Sequence, residues 1–312
     1  MSSNKNTNRV LLIAVVVLAV ALVGVLVYFL VLKSPSTLTV PSSNNNQGAT
    51  QSSQSTQASM ITLAFERGVE NWLGLECIYN KYGGNATLNA INDTYKIAYN
   101  YLYEYEYTNN ITYYIVYPIA QYQYLVSNYA NCAVSESDQS LVSTVTSALS
   151  NFGTVAMELN MESNIPSNYI GTPLFIVFNR ANNITYVIVG ASPSVFYAIN
   201  YSKAGNITTF TYQGHELGYG FKANSTQVAF INELSSSGLG IGNSNANVTV
   251  IEYLDPECPA CTIFQLEYGG YLDHLIGSGS IYYVIQYFPT HVLDYGCSSP
   301  TIEPMLGTIC QG

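Results

Sequence analysis

Charged residues are scarce in this 312-residue chain, because Asp, Glu, Lys and Arg together make up only 9% of it, whereas about 25% is typical of a soluble domain. Basic residues are the scarcer sign, with nine Lys and Arg against nineteen Asp and Glu and a formal net charge of −10. Nucleic-acid binding needs a basic surface, so this balance argues against such a partner. The length leaves room for two ordinary domains and a tail.

A long stretch without any charge lies near the N-terminus. Val10 to Leu32 is 23 uncharged and mostly apolar residues, which as a helix would be about 35 Å long and would span a bilayer. It lacks a clear cleavage site, so the sequence predicts an uncleaved single-pass anchor. Lys5 and Arg9 precede it and only Lys33 closely follows, which predicts that residues 1–9 form a cytoplasmic tail. The rest of the chain would then be extracytoplasmic, at the cell membrane.

The segments after this stretch differ sharply in composition. Residues 33–59 are dominated by Ser, Thr, Asn and Gln with no apolar period, which predicts a disordered tether. Residues 60–205 alternate apolar runs and helical periods, and residues 206–241 are Gly- and Ser-rich and look like a connector. The predicted elements are strands at Ile61–Phe65 and Ile111–Pro118, helices around Leu88–Tyr105 and Ser135–Asn151, strands at Gly171–Asn179 and Tyr186–Gly190, and a helix at Pro193–Tyr201.

The most informative stretch reads VTVIEYLDPECPAC, from Val248 to Cys261. Its β-branched start predicts a buried strand, and the Asp-Pro pair that follows predicts a turn. Pro259 suits the first position of a helix, which would place Cys258 at the helix N-terminus. Unpaired N–H groups and the helix dipole favour a thiolate there. Cys261, one turn later, can close a disulfide with Cys258.

This motif resembles the DsbA-like branch of the thioredoxin fold, whose members exchange thiols and disulfides outside the cytoplasm. The resemblance covers residues 242–261 and the strand YYVIQYFPT at 282–290. It implies that Cys258 is the attacking thiol, that Cys261 is the resolving thiol, and that Glu252, six residues before Cys258, carries a proton for the pair. Asp255 and Glu257 would oppose a thiolate, because nearby negative charge disfavours it.

A second part of the chain resembles the same fold. In that family a Thr-Pro before a strand holds a cis proline that meets the substrate peptide, and Thr172-Pro173 matches this motif. We therefore expect an α/β protein with two tandem thioredoxin-like copies, DsbA-like with a helical insert. The first copy, at 60–205, would lack a CxxC motif, and the second, at 242–312, would be catalytic and incomplete at its C-terminus. The alternative is one permuted domain in which Pro173 faces Cys258.

The four remaining cysteines have two readings. Structural disulfides joining Cys77 to Cys132 and Cys297 to Cys310 are the favoured pairing. The competing reading is a zinc site, with the CxxC motif completed by Cys297, Cys310, His274 or His291. Zinc sites usually contain two closely spaced ligand pairs, and 12 residues separate Cys297 from Cys310. We therefore expect neither a bound metal nor another cofactor.

These observations predict an enzyme, a membrane-anchored thiol–disulfide oxidoreductase that oxidises exported proteins through the Cys258–Cys261 disulfide. Its expected partners are exported protein thiols and, by resemblance, a quinone-linked membrane protein that reoxidises the pair. Two alternatives stay open. One is a non-catalytic surface protein whose CxxC disulfide is a staple, and the other is a protein that handles copper or zinc.

Overall fold

Four long helices occupy the first part of the fold in the computed structural model, which describes residues 49–212 and 214–311. Their bounds are Ala49–Tyr82 (α1), Gly84–Thr108 (α2), Ile111–Asn128 (α3) and Asp138–Glu158 (α4). Short helical segments follow α3 at Ala130–Cys132 and α4 at Met161–Asn164 and Ser167–Tyr169. The predicted helices in this region are present, and Ser137 rather than Ser135 caps α4.

Two predicted strands in this region are wrong. Ile61–Phe65 lies inside α1, whose buried side chains Phe65, Val69 and Trp72 recur at helical spacing. Ile111–Pro118 is the start of α3, although its residues are β-branched or aromatic. A short apolar run does not distinguish a buried strand from a buried helix, and packing decides between them.

Pro118 inside α3 shows how packing supports this helix. Proline has no N–H, so the carbonyl of Tyr114, four residues earlier, loses its usual helical donor. The hydroxyl of Tyr295, near the C-terminus, donates to that carbonyl at 3.2 Å. The hydrogen bond that proline removes is therefore replaced by a distant side chain.

The remaining elements build one sheet and its flanking helices. In chain order they are β1 (Leu174–Asn179), β2 (Ile184–Val189), α5 (Ser194–Ala204), β3 (Thr209–Tyr212), β4 (His215–Lys222), α6 (Ser225–Ser237), β5 (Leu239–Gly242), β6 (Val248–Leu254), α7 (Pro259–Gly277), β7 (Tyr282–Tyr287) and α8 (Thr290–Ser298). A short helix at Glu303–Leu306 and a 3₁₀ turn at Gly307–Gln311 complete the described chain.

All seven of these strands form a single sheet in the order β3-β4-β2-β1-β6-β7-β5. Only β6 and β7 run parallel, joined by the crossover helix α7, and the other neighbouring pairs are antiparallel. Strand β1 pairs directly with β6, with Leu174 opposite Tyr253. Strands from both predicted copies therefore lie side by side, and the described residues from 50 onward form one compact unit.

The prediction of tandem copies is therefore wrong, and so is the division at 60–205 and 242–312. The strand, helix and strand that carry the CxxC motif are completed by β1, β2 and α5, which precede them in the sequence. The predicted connector at 206–241 also contributes β3, β4, α6 and β5. The permuted arrangement, the alternative considered from the sequence, is the one observed.

The two faces of the sheet bury different helices. Alternate side chains of β6, such as Val250 and Leu254, pack with α1, α2 and α7. The intervening residues Ile251 and Tyr253 pack with the end of α4 and with α6. A third cluster joins α1, α3 and α4 to α8 through residues such as Phe65 and Val292. Helices thus cover both faces of the sheet at the end where β6 leads into the two cysteines.

No helix within 49–212 and 214–311 is long and apolar enough to cross a membrane. The predicted anchor at 10–32 and residues 33–48 of the predicted tether lie outside the described residues. Residues 49–59 of the predicted tether form the first turns of α1, so the prediction of disorder is wrong there.

Candidate active site

The two cysteines of the CxxC motif lie where β6 ends and α7 begins. Cys258 is the N-cap of α7, and its sulfur accepts a hydrogen bond from the backbone N–H of Cys261 at 3.1 Å. Pro259 occupies the first helical position, where its missing N–H costs no bond. Both cysteines are free thiols, and Cys258 is 0% exposed. The helix terminus therefore offers the sulfur of Cys258 an N–H donor.

The Thr172–Pro173 pair faces this motif from the neighbouring strand. The peptide bond between these two residues is cis. Because β1 pairs with β6, this turn lies at the same end of the sheet as Cys258. The Cys258 thiol donates to the Thr172 carbonyl at 3.4 Å. The structure thus brings together two predicted site features that the tandem prediction would have separated.

Glu252 lies on β6 and is buried below the cysteines. The hydroxyl of Tyr283, on β7, donates a hydrogen bond to its Oε2 atom. Burial raises the pKa of Glu252 to about 7, although the bond from Tyr283 acts in the opposite direction. Glu252 can therefore hold a proton near neutral pH, which is the property that its predicted role requires.

The thiol of Cys261 is strongly disfavoured as a thiolate. Burial is the main cause that raises its pKa well above the ordinary value, and the nearby Cys258 and Glu252 raise it further. Cys261 is 1% exposed, so water cannot stabilise a charge on its sulfur. The protonated thiol is therefore the favoured form of Cys261.

Asp255 organises the loop that leads from β6 to Cys258. Its Oδ1 atom accepts from the backbone N–H of Glu257 at 3.0 Å, and its Oδ2 atom accepts from those of His291 and Val292 at 2.7 and 3.2 Å. Burial raises its pKa to about 7, while these three N–H groups lower it. Asp255 thus ties the active-site loop to the start of α8.

Glu257, next to Cys258, is also fully buried. Its Oε1 atom accepts from the side-chain amide of Asn71 on α1 at 2.7 Å. Burial raises its pKa well above the ordinary value, and Asp255 raises it further. From the sequence, Asp255 and Glu257 are expected to be negative charges beside the thiol. Burial instead raises the pKa of both carboxyls, so neither is a fixed negative charge at neutral pH.

Three side chains from the N-terminal helices reach the same loop. Tyr95 on α2 donates to the Asp255 carbonyl at 3.3 Å, and Gln121 on α3 donates to the Pro256 carbonyl at 3.1 Å. The hydroxyl of Tyr117 on α3 donates to the Glu257 carbonyl. Between 135 and 160 residues separate each donor from its acceptor, and no local pattern could have revealed these contacts.

A hydrogen bond between two threonine hydroxyls lies next to Cys258. The Thr172 and Thr290 Oγ1 atoms lie 2.9 Å apart, so one donates to the other. The Thr290 hydroxyl also lies 3.1 Å from Nδ1 of His291. Burial lowers the pKa of His291, so the imidazole is mainly neutral at pH 7. This pair joins the turn at Pro173 to the start of α8, directly beside Cys258.

The other four cysteines form the two predicted disulfides, Cys77–Cys132 and Cys297–Cys310. Cys297 and Cys310 therefore have no thiolate to offer a metal. Within the described part of the chain, no three His, Cys, Asp or Glu side chains are arranged to hold a metal ion.

Comparison with known proteins supports the fold assignment. The model of the family described as Thioredoxin matches residues 235–299, which include β6, α7 and β7. No curated protein and no solved structure matches the chain. The mixed sheet, the crossover helix that starts at the CxxC motif and this match define a thioredoxin-like fold with a pair of cysteines able to form a disulfide.

Proposed function

We propose that this protein is a thiol–disulfide oxidoreductase that acts on exported proteins through Cys258 and Cys261. One observation carries the proposal. The CxxC motif caps α7 within hydrogen-bond distance of the Thr172 carbonyl, and the buried carboxyl Glu252 lies near enough to Cys261 to affect its pKa. A structural staple needs neither a helix N-terminus nor a buried proton carrier, whereas thiol exchange uses both.

The geometry assigns a role to each group in an exchange cycle. Starting from the disulfide, a substrate thiolate attacks the sulfur of Cys258, the bond to Cys261 breaks, and a mixed disulfide forms. Cys261 leaves as a thiolate that its surroundings disfavour, and Glu252 supplies the proton. A second substrate thiol then releases Cys258, which leaves a substrate disulfide and the reduced pair. The reverse sequence reduces a substrate disulfide.

The direction of exchange depends on how well the reduced pair is stabilised. A strong oxidant needs a reduced form that is stabilised as a thiolate. The N–H of Cys261 donates to the Cys258 sulfur and favours its thiolate. Burial lowers the pKa of the neighbouring His291, so its imidazole adds no full positive charge at pH 7. An oxidase, the direction that the sequence predicts, therefore has to draw its thiolate stabilisation from the helix terminus.

We propose an extracytoplasmic location, with the chain anchored by residues 10–32. The two disulfides Cys77–Cys132 and Cys297–Cys310 support it, because such bonds persist mainly in oxidising compartments. A quinone-linked membrane partner that reoxidises the pair is part of the oxidase proposal, whereas isomerisation would not require one. The orientation is tested by adding protease to intact cells that carry a C-terminally tagged chain, and by measuring whether the cells protect the tag.

The decisive experiment is trapping of mixed disulfides. Cys258→Ser should abolish exchange with a reduced or scrambled protein substrate. Cys261→Ala should leave Cys258 able to attack but without its resolving thiol, so covalent complexes should accumulate and disappear on reduction. Normal turnover by Cys261→Ala would show that the assigned roles are wrong.

A non-catalytic binding protein is the second candidate, and the complete burial of Cys258 favours it. In that case the Cys258–Cys261 disulfide would resist mild reduction, as a structural staple does. In an exchange enzyme it would equilibrate with glutathione. The measured equilibrium constant decides between these functions and also gives the direction of electron flow.

A further inference from the structure

We propose that Tyr95, Tyr117 and Gln121 are positioning residues of the redox site, which hold the loop 255–257 so that the helix N-terminus stabilises the Cys258 thiolate. The inference rests on the proposed exchange function and assigns part of its control to the N-terminal helices. These three residues lie on α2 and α3, outside the residues 235–299 that match the thioredoxin family.

The three donors satisfy three consecutive carbonyl groups. The Asp255 carbonyl also accepts from the N–H of Cys258 at 2.9 Å, so it has a second partner. The Pro256 and Glu257 carbonyls accept from Gln121 and Tyr117. Glu257 precedes the N-cap of α7, so its carbonyl has no helical N–H partner, and the N–H of Cys261 is one of the free donors of the helix N-terminus and donates to the Cys258 sulfur.

The hydrogen bond from Tyr117 connects α3 to the chemistry at Cys258. It holds the Glu257 carbonyl next to the N-cap, so that the loop presents the Cys258 sulfur to the N–H of Cys261. Without Tyr117, the Glu257 carbonyl would lose this donor and the loop would be free to shift relative to the helix N-terminus. The negative end of an unpaired carbonyl dipole would also lie one residue from the thiolate, where it raises the free energy of the charged form.

Burial increases the energetic cost of losing these hydrogen bonds. Tyr117 and Gln121 are both 0% exposed, so water does not replace a lost donor without rearrangement. Gln121 is itself held in place, because its amide also donates to the Thr94 carbonyl at 3.2 Å. The donors are therefore fixed before the substrate arrives, which is what positioning requires.

The test uses Tyr117→Phe, Tyr95→Phe and Gln121→Met in the full chain. In a Cys261→Ala background, the rate of alkylation of Cys258 is measured against pH. The midpoint of this profile reports thiolate stability, whereas its plateau reports access to the buried sulfur. In the dithiol protein, the equilibrium constant with glutathione is measured at one pH.

Tyr219→Phe is the matched control. Tyr219 is a buried tyrosine on β4, and its hydroxyl also donates to a backbone carbonyl, that of Leu159, at 2.6 Å. Its contacts lie in the cluster on the sheet face opposite the cysteines. The control loses an equivalent hydrogen bond and so accounts for any general loss of stability.

We expect Tyr117→Phe and Gln121→Met each to favour the disulfide over the reduced pair by about threefold to tenfold, the range expected for one neutral hydrogen bond. Their alkylation midpoints should move to higher pH, and Tyr95→Phe should have a smaller effect because the Asp255 carbonyl keeps a second donor. Tyr219→Phe should change neither quantity. Folded Tyr117→Phe and Gln121→Met proteins with wild-type midpoints and equilibrium constants would overturn the proposal.

Two further outcomes are distinguishable. If Tyr117→Phe does not fold, Gln121→Met alone decides, and if neither folds while Tyr219→Phe does, the contacts serve stability and the positioning role is rejected. If the wild-type protein exchanges no disulfides, the proposed function fails, yet the alkylation midpoints still show whether these residues control the Cys258 thiolate.

Discussion

Deprotonation of the buried carboxyls should make this protein less stable as the pH rises. Burial raises the pKa of Glu252 from its ordinary value of 4.5 to about 7. The folded state therefore binds a proton at Glu252 more tightly than the unfolded chain does. The resulting stabilisation is complete below the unfolded pKa, and it is lost as the pH rises through the folded pKa.

The size of this effect follows from the same values. A pKa rise from 4.5 to about 7 corresponds to a loss of about 3 kcal/mol of unfolding free energy between acidic and alkaline pH. Asp255, whose pKa is raised from 3.8 to about 7, acts in the same direction. Wild-type unfolding free energy should therefore fall by several kcal/mol between about pH 4 and pH 8.

Urea unfolding at a series of pH values measures this change, with both structural disulfides kept intact. Glu252→Gln keeps the shape of the side chain but cannot ionise, so its curve should be flatter than that of the wild type by about 3 kcal/mol over this range. Glu106→Gln is the control, because Glu106 is exposed on α2. A wild-type stability that stays constant or increases from pH 5 to pH 8 would refute the reasoning, as would equal slopes for the wild type and Glu252→Gln.

Three further predictions concern contacts around the site. Thr290→Val removes the hydroxyl bonded to Thr172, so a bulky thiol reagent should modify Cys258 about threefold to tenfold faster than in the wild type. Thr290→Ser keeps a hydroxyl and should behave as the wild type. Equal rates for both variants would show that this contact does not restrict access to Cys258. Replacing Cys297 and Cys310 by Ser opens a 14-residue loop and should lower the unfolding free energy by about 3 kcal/mol, and an unchanged urea midpoint would contradict this. Tyr295→Phe leaves the Tyr114 carbonyl without its replacement donor. It should lower the free energy of unfolding by about 1–3 kcal/mol in the same urea assay. A decrease smaller than the experimental error would show that another group satisfies this carbonyl.

The CxxC unit could be predicted from the sequence because its determinants are local. A β-branched strand, an Asp-Pro turn and a proline at the first helical position lie within a few residues of one another, and the structure has β6 and α7 in these places. The Thr172–Pro173 turn was also recognisable from a two-residue motif. Each of these features depends on short-range backbone preferences.

The arrangement of the sheet could not be predicted in the same way. Pairing of β1 with β6 joins residues 174–179 to residues 248–253, and no local pattern specifies that register. Proximity in sequence favoured two separate copies, because consecutive elements are usually neighbours. The strand predicted at Ile111–Pro118 failed for a related reason. Its β-forming residues become helical because α1, α2 and α8 pack around them, and a propensity carries no information about such partners.

The permuted chain order also determines when each cysteine becomes available. In a chain that emerges from the ribosome or a membrane channel with its N-terminus first, Cys77 and Cys132 appear long before Cys258 and Cys261. The first strand to emerge, β1, has β2 as an immediate neighbour, but its other edge stays unpaired until β6 arrives. The CxxC site is thus completed only after Cys77 and Cys132 have emerged, so a molecule cannot use it to form its own Cys77–Cys132 disulfide before that point. Until then the bond has to come from another oxidant or from an older copy of the same protein.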